Sequence, residues 1–167
     1  MPVIISDGMG IKTDISSVTS RLAMQCSRRE YCVSDVFAKA LKALEGDRDG
    51  AQKVVESLVE DRYVDDYRYS CAYVRDKSAI SGWGVSKIRY MLSAKGVSRD
   101  VIDKALLEMD ADKAEARLDR LLRIKFKSLK GDPQTRVKLL RFAMGRGYSY
   151  DEASYAINEI MKEDENN

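Results

Sequence analysis

The sequence predicts an all-α protein of three tandem three-helix, helix-turn-helix-like repeats that form an elongated, curved array. Three observations carry this reading. Apolar residues fall at helical spacing and recur at a constant offset of 51 residues. A Gly-containing turn recurs with them. The composition is 34% charged, 8% aromatic and holds only two prolines, which suits helices better than strands.

The first helix of each repeated pair shows an i, i+3, i+4 stripe. Phe37, Ile88 and Leu139 align, as do Ala40, Met91 and Phe142, and Leu41, Leu92 and Ala143. A second stripe follows the turn: Ala51, Ile102 and Ala153; Val54, Ala105 and Ala156; Val55, Leu106 and Ile157; Leu58, Met109 and Ile160. The turn reads Lys95-Gly96-Val97-Ser98 in the second repeat and Arg146-Gly147-Tyr148-Ser149 in the third. Glycine just past a helix end accepts a left-handed backbone, and the serine two residues on can cap the next helix. Ser149 with Glu152 spells a capping box, and a basic residue before the glycine meets the negative end of the preceding helix dipole. The first repeat has drifted, with Asp47 at the cap and its glycine displaced to Gly46.

A further helix precedes each later pair. Tyr69, Ala72, Tyr73 and Ala79 form one apolar face behind an Asp65-Asp66 helix start, and Ala114, Leu118, Leu121, Leu122 and Leu129 form another. Gly82, Gly84 and Gly131-Asp132-Pro133 break the chain ahead of the second and third pairs. The expected organisation is a frayed or disordered N-terminus over residues 1–18, repeats over 19–62, 63–112 and 113–162, and an acidic tail over 163–167. Stacked repeats of this kind expose a long face suited to large partners.

Formal net charge is +2, but the charge is segregated: from Lys113 to Arg146 eleven basic residues face three acids, a local excess of +8. Histidine is absent, which removes the commonest general base and metal ligand. Cys26, Cys32 and Cys71 lack CxxC spacing, so they read as reduced thiols, with neither a disulfide framework nor a zinc site. Asp65-Asp66 reads as acids at the positive end of a helix dipole rather than a catalytic pair. Gly82-Trp83-Gly84 is too short for a phosphate cradle. No stretch approaches the roughly 20 apolar residues of a membrane span. These features together predict a cytoplasmic, monomeric protein that binds rather than catalyses and carries no cofactor.

The run Tyr63-Val64-Asp65-Asp66-Tyr67-Arg68-Tyr69, then Gly82-Trp83-Gly84-Val85-Ser86-Lys87-Ile88-Arg89, then Leu92-Ser93-Ala94-Lys95-Gly96-Val97-Ser98, resembles the RecX family of bacterial recombination regulators. The third repeat resembles it in Asp132-Pro133, Lys138, Arg141-Phe142 and Arg146-Gly147-Tyr148-Ser149. The likeness runs from about Thr19 to Ile160 and is strongest in the middle repeat. It implies a crescent-shaped protein that docks along the RecA filament on single-stranded DNA and inhibits its ATPase, recombinase and strand-exchange activities, with DNA contacted indirectly or weakly. The chain departs from the family pattern at Arg62, where a glycine is usual, at Val64 for leucine, at Tyr69 for phenylalanine and at Val85 for proline.

Candidate contacts to the filament or to DNA phosphates are Arg75, Lys77, Lys87, Arg89 and Lys95 in the middle repeat and Arg123, Lys125, Lys127, Arg141 and Arg146 in the basic segment. Each also reads as part of a solvated helix face. Trp83, between two glycines, is either an exposed anchor or a lid on the core, and the tyrosines around it read as structural. Two rival functions are a direct DNA-binding helical-repeat protein and a scaffold for another helical protein.

Overall fold

The computed structural model describes residues 13–167, which form helices joined by short turns. They are α1 (Ile15–Cys26), α2 (Val33–Ala43), α3 (Arg48–Glu60), α4 (Asp66–Ala79), α5 (Val85–Ala94), α6 (Arg99–Leu106), α7 (Ala111–Ser128), α8 (Thr135–Gly145) and α9 (Tyr150–Glu165). Three helices serve each repeat. The chain divides into two compact units, the first ending at Asp65 and the second beginning at Asp66. None of the described helices is long and apolar enough to cross a membrane.

In the first unit α3 packs on both α1 and α2 around Val36, Ala40, Ala51, Val54 and Leu58, the aligned positions of the first repeat or their neighbours. The 1–18 segment expected to be frayed is helical from Ile15 onwards, and Val18 is fully buried in this core. Its residues 1–12 lie outside the described part. The drift in the first turn has a structural form: Glu45 stands where Gly96 and Gly147 stand in the later repeats and itself takes a left-handed backbone, φ 54°, followed by Gly46 at φ 93°. Asp47 then caps α3 by accepting from the Gly50 amide at 2.9 Å. At the other end of α3, Arg62 adopts φ 60° while the Tyr63 amide returns to the Leu58 carbonyl. The turn therefore keeps the shape a glycine would give it, with arginine bearing the strain.

The second unit holds two cores. α4, α5 and α6 enclose Val74, Ile88, Leu92, Val97, Ile102 and Ala105, and α7, α8 and α9 enclose Leu118, Leu122, Leu139, Ala143, Ile157 and Ile160. Most of the residues aligned by the 51-residue offset are buried here, and Met91, Leu106, Met109 and Phe142 are half-buried. Burying one such Leu or Ile is worth about 2 kcal/mol. The predicted caps contribute about 1 kcal/mol each: Ser98 accepts from Val101, and Ser149 and Glu152 complete the capping box. Packing therefore outweighs capping in this unit.

Two sequence expectations need correction. The buried line of α4 is Ser70, Val74 and Ser78, whereas Ala79 is exposed, so two small polar residues do the packing where apolar ones were sought. Residues 163–165 are not a tail but the last turn of α9, held to α7 where Glu163 takes a two-pronged contact from Arg123 at 2.6 and 3.3 Å.

Candidate binding surface of the second unit

The turn between α4 and α5 rests on the turn between α8 and α9. The Gly84 amide donates to the Arg146 carbonyl at 2.7 Å and the Ser86 amide to the Gly147 carbonyl at 3.0 Å. The Arg146 guanidinium returns a bond to the Ser81 carbonyl at 2.9 Å. Both amides belong to the N-terminal end of α5, where no intrahelical acceptor exists, so the neighbouring repeat supplies what a side-chain cap would otherwise provide. The glycines of this motif thus serve repeat-to-repeat contact, and no phosphate cradle is needed to account for them.

This contact gathers cations and rings into one strip. Lys95 Nζ lies 5.8 Å from the centre of the Tyr69 ring, and the Tyr69 and Tyr73 rings are 5.9 Å apart. Lys77 Nζ stands 5.5 Å from Tyr73 and 4.8 Å from Trp83. Lys87 Nζ sits over Trp83 at 4.4 Å and reaches the Gly145 carbonyl at 3.5 Å, crossing to the third repeat. There Arg146 lies over Phe142 at 4.8 Å, with Lys125 Nζ 5.8 Å from the same ring. Each such pair at a partly exposed site is worth about 0.5–1 kcal/mol, enough to orient the ammonium groups without neutralising them.

Trp83 is the lid rather than the exposed anchor. Its ring is half-buried against the core of α4–α6 and meets Tyr73 edge to face at 6.5 Å. Tyr73 is itself part of that packing, and burial pushes its phenol above the ordinary range. Lys87 lies in the first turn of α5, next to the positive end of the helix dipole, where a cation is disfavoured. Its position makes sense through Trp83 and Gly145 rather than through helix stability.

Six of the candidate residues therefore share the strip: Lys77, Trp83, Lys87, Lys95, Lys125 and Arg146. The others are placed differently. Arg89 is bonded to Asp103, and Arg75 lies 3.6 Å from Asp76. Arg123 is held by Glu163 and by Asp119 at 2.8 Å, hydrogen bonds that raise its already high pKa. Lys127 and Arg141 are exposed. Within the +8 segment Lys138 is also bonded to Asp132 and Lys113 lies 3.6 Å from Asp110, so that with Arg123 three of its cations are ion-paired and most of its excess charge remains. Among the described residues no carboxylate lies within 4 Å of Lys77, Lys87, Lys125 or Arg146.

Sequence reasoning set aside Tyr69, Tyr73 and Phe142 as structural. The missed signal was spacing: Tyr69, Tyr73 and Lys77 stand at i, i+4 and i+8 on α4, and Phe142 and Arg146 are four apart at the end of α8. Among the described residues no group of three or more His, Cys, Asp or Glu is arranged to hold a metal ion.

Comparison with known proteins gives a consistent result. Residues 65–106 match the family model described as RecX, second three-helix domain. The regulatory protein RecX of Vibrio campbellii is 34% identical over 135 residues, covering 79% of this chain and 84% of that protein. Those of Clostridium tetani and Clostridium botulinum are 28% and 35% identical, but the chain spans only about half of their length, 53% and 54%. A crystal structure of regulatory protein RecX superposes with a TM-score of 0.78 at 21% identity over 86% of this chain and 71% of that one. The RecX structure from Lactobacillus salivarius gives 0.75 at 22% over 87% and 95%. At that identity the two structures establish the shared all-α fold.

Proposed function

The chain belongs to the RecX family of regulatory proteins, and from that premise we propose that it is a non-enzymatic regulator that binds the RecA filament on single-stranded DNA and inhibits its ATPase, recombinase and strand-exchange activities. The observation that carries this reading is the strip running from Lys95 through Trp83 to Lys125, in which oriented cations alternate with rings. Such a surface meets acidic protein or phosphate groups through charge and hydrogen bonds and needs no chemistry of its own. The absence of histidine agrees with a binding role.

The test is a titration of RecA's ATPase on single-stranded DNA. The wild-type chain inhibits at stoichiometric ratios, and the Lys77→Glu, Lys87→Glu double variant loses about ten-fold in potency while keeping its helical circular dichroism. The Arg75→Glu, Arg89→Glu pair, whose charges are already matched by Asp76 and Asp103, changes potency far less. A wild-type chain without effect on the ATPase would sink the reading.

A second reading is favoured by the rings themselves, since cations beside aromatic faces also suit single-stranded nucleic acid. It is direct binding to the single strand. It predicts tight, salt-dependent binding to single-stranded DNA without RecA, with a slope reporting several phosphates.

A further inference from the structure

A groove of about 550 Å³ lies between the second and third repeats, inside the second unit. Val85, Leu106, Met109 and Leu118 give it apolar walls, and Glu115 and Glu152 stand at its edge. Tyr148 forms part of its lining. That residue is only 3% exposed, and its phenolic oxygen has no hydrogen-bond partner. A buried hydroxyl left in this state costs about 1–3 kcal/mol unless something else satisfies it. The groove continues into a shallower one lined by Asp112, Glu115 and Glu159, with the Tyr155 ring common to both. Lys162 lies 3.2 Å from Glu159, but no cation lies within 4 Å of Asp112 or Glu115 among the described residues. The surface is therefore apolar at its base and negative where Asp112, Glu115 and Glu159 stand, while Arg117 and Arg146 lie near Tyr148 at its other end.

We propose that this groove is a second interaction site, which receives an amphipathic helix of a protein partner. The fitting helix has aliphatic residues at i, i+3 or i+4 and i+7, with lysine or arginine along one flank. Aliphatic side chains fill the space between Leu106, Met109 and Leu118, as helix-in-groove recognition requires. The basic flank faces Asp112 and Glu115, and the apolar face covers the floor beneath which Tyr148 is buried. Charge selects the occupant: an acidic helix of the same apolar pattern would place like charges along the rim.

The probe is a fluorescently labelled helical peptide of about 18 residues with a leucine stripe and lysine flanks, compared with the same peptide carrying glutamate flanks. Binding is read by anisotropy with the full chain and no recombinase present, so the result is independent of the proposed action on RecA. The lysine peptide is expected to bind at least about ten-fold more tightly than the glutamate peptide, and Asp112→Lys, Glu115→Lys to remove most of that preference. Both carboxylates are exposed, so this variant retains its fold, checked by urea denaturation. Tyr148→Phe is a second probe. It is expected to raise stability, because it deletes an unsatisfied hydroxyl, and to leave the preference for the lysine peptide in place, because it removes no charge from the rim. Absence of binding, equal binding of both peptides, or a preference unchanged by Asp112→Lys, Glu115→Lys would overturn the proposal.

Discussion

Gly84 and Gly147 are in backbone contact across the two repeats of the second unit: a Cβ placed on Gly84 would lie 2.5 Å from the Gly147 carbonyl oxygen. That neighbour is main chain on both sides, so it cannot move aside as a flexible side chain would. Gly84→Ala is expected to cost about 2–3 kcal/mol, the upper range for overpacking. Gly147→Ala should cost more, because its φ of 94° adds backbone strain and its Cβ would meet Lys87 Cβ at 2.4 Å. Urea unfolding of the two variants measures both costs; a loss under about 0.5 kcal/mol, the level of a neutral surface change, would mean the junction is loose.

Arg62 offers the opposite experiment. A non-glycine residue in the left-handed region pays about 1–2 kcal/mol, and glycine gives back part of that through its freer unfolded chain. Arg62→Gly is expected to stabilise the first unit by about 0.5–1 kcal/mol, visible as a higher melting temperature. A lower melting temperature would mean that the arginine side chain contributes more than its backbone costs.

Val85 is the first residue of α5 and follows Gly84 in an extended conformation, φ −85° and ψ 174°. Proline suits that position, since the first helical amide lacks an intrahelical acceptor and the residue before proline prefers extended backbone. The bonds across the repeat junction use the amides of Gly84 and Ser86 and leave that of Val85 out. Val85→Pro should therefore stabilise by about 0.4–1 kcal/mol without weakening the junction. Val85 also lines the groove, so peptide binding by this variant separates a backbone effect from a loss of lining.

Three carboxylates titrate below their ordinary values in the folded chain: Asp110 through the Lys113 amide, Asp132 through Lys138, and Glu163 through Arg123. A depressed folded-state pKa gives stability that is present above the unfolded value and is lost as pH falls through the folded one. Stability should therefore decline from about pH 4.5 downwards, where unfolded carboxyls begin to take up protons. The Asp110→Asn, Asp132→Asn, Glu163→Gln variant should show a flatter decline by chemical denaturation at several pH values. An unchanged slope would place the acid sensitivity elsewhere.

The 51-residue offset made the cores legible because burial in a helix bundle follows apolar spacing, and Ile88, Leu92 and Ile102 all lie where that spacing put them. The caps at Asp47, Ser98 and Ser149 were legible for the same local reason. α4 was read less well, since Ser70 and Ser78 pack through their small volume, which a hydrophobicity pattern does not register. The strip was half-visible. Its cations could be named, but which of them keep their charge available depends on partners distant in sequence, such as Asp103 for Arg89 and Glu163 for Arg123. Likewise Gly84 and Gly147 are more than sixty residues apart, so the reason for each lay in the other.

The borrowed acceptors at the start of α5 limit how far the repeats can stand apart. Three copies of one pattern suggest parts that could be duplicated, deleted or exchanged freely, yet the second copy is finished by the third. A chain cut after α6 would strand the amides of Gly84 and Ser86 and uncover Val85 and Leu106 together. The repeats of the second unit are therefore expected to fold as a pair, with substitutions at either turn constrained by what the other can accommodate.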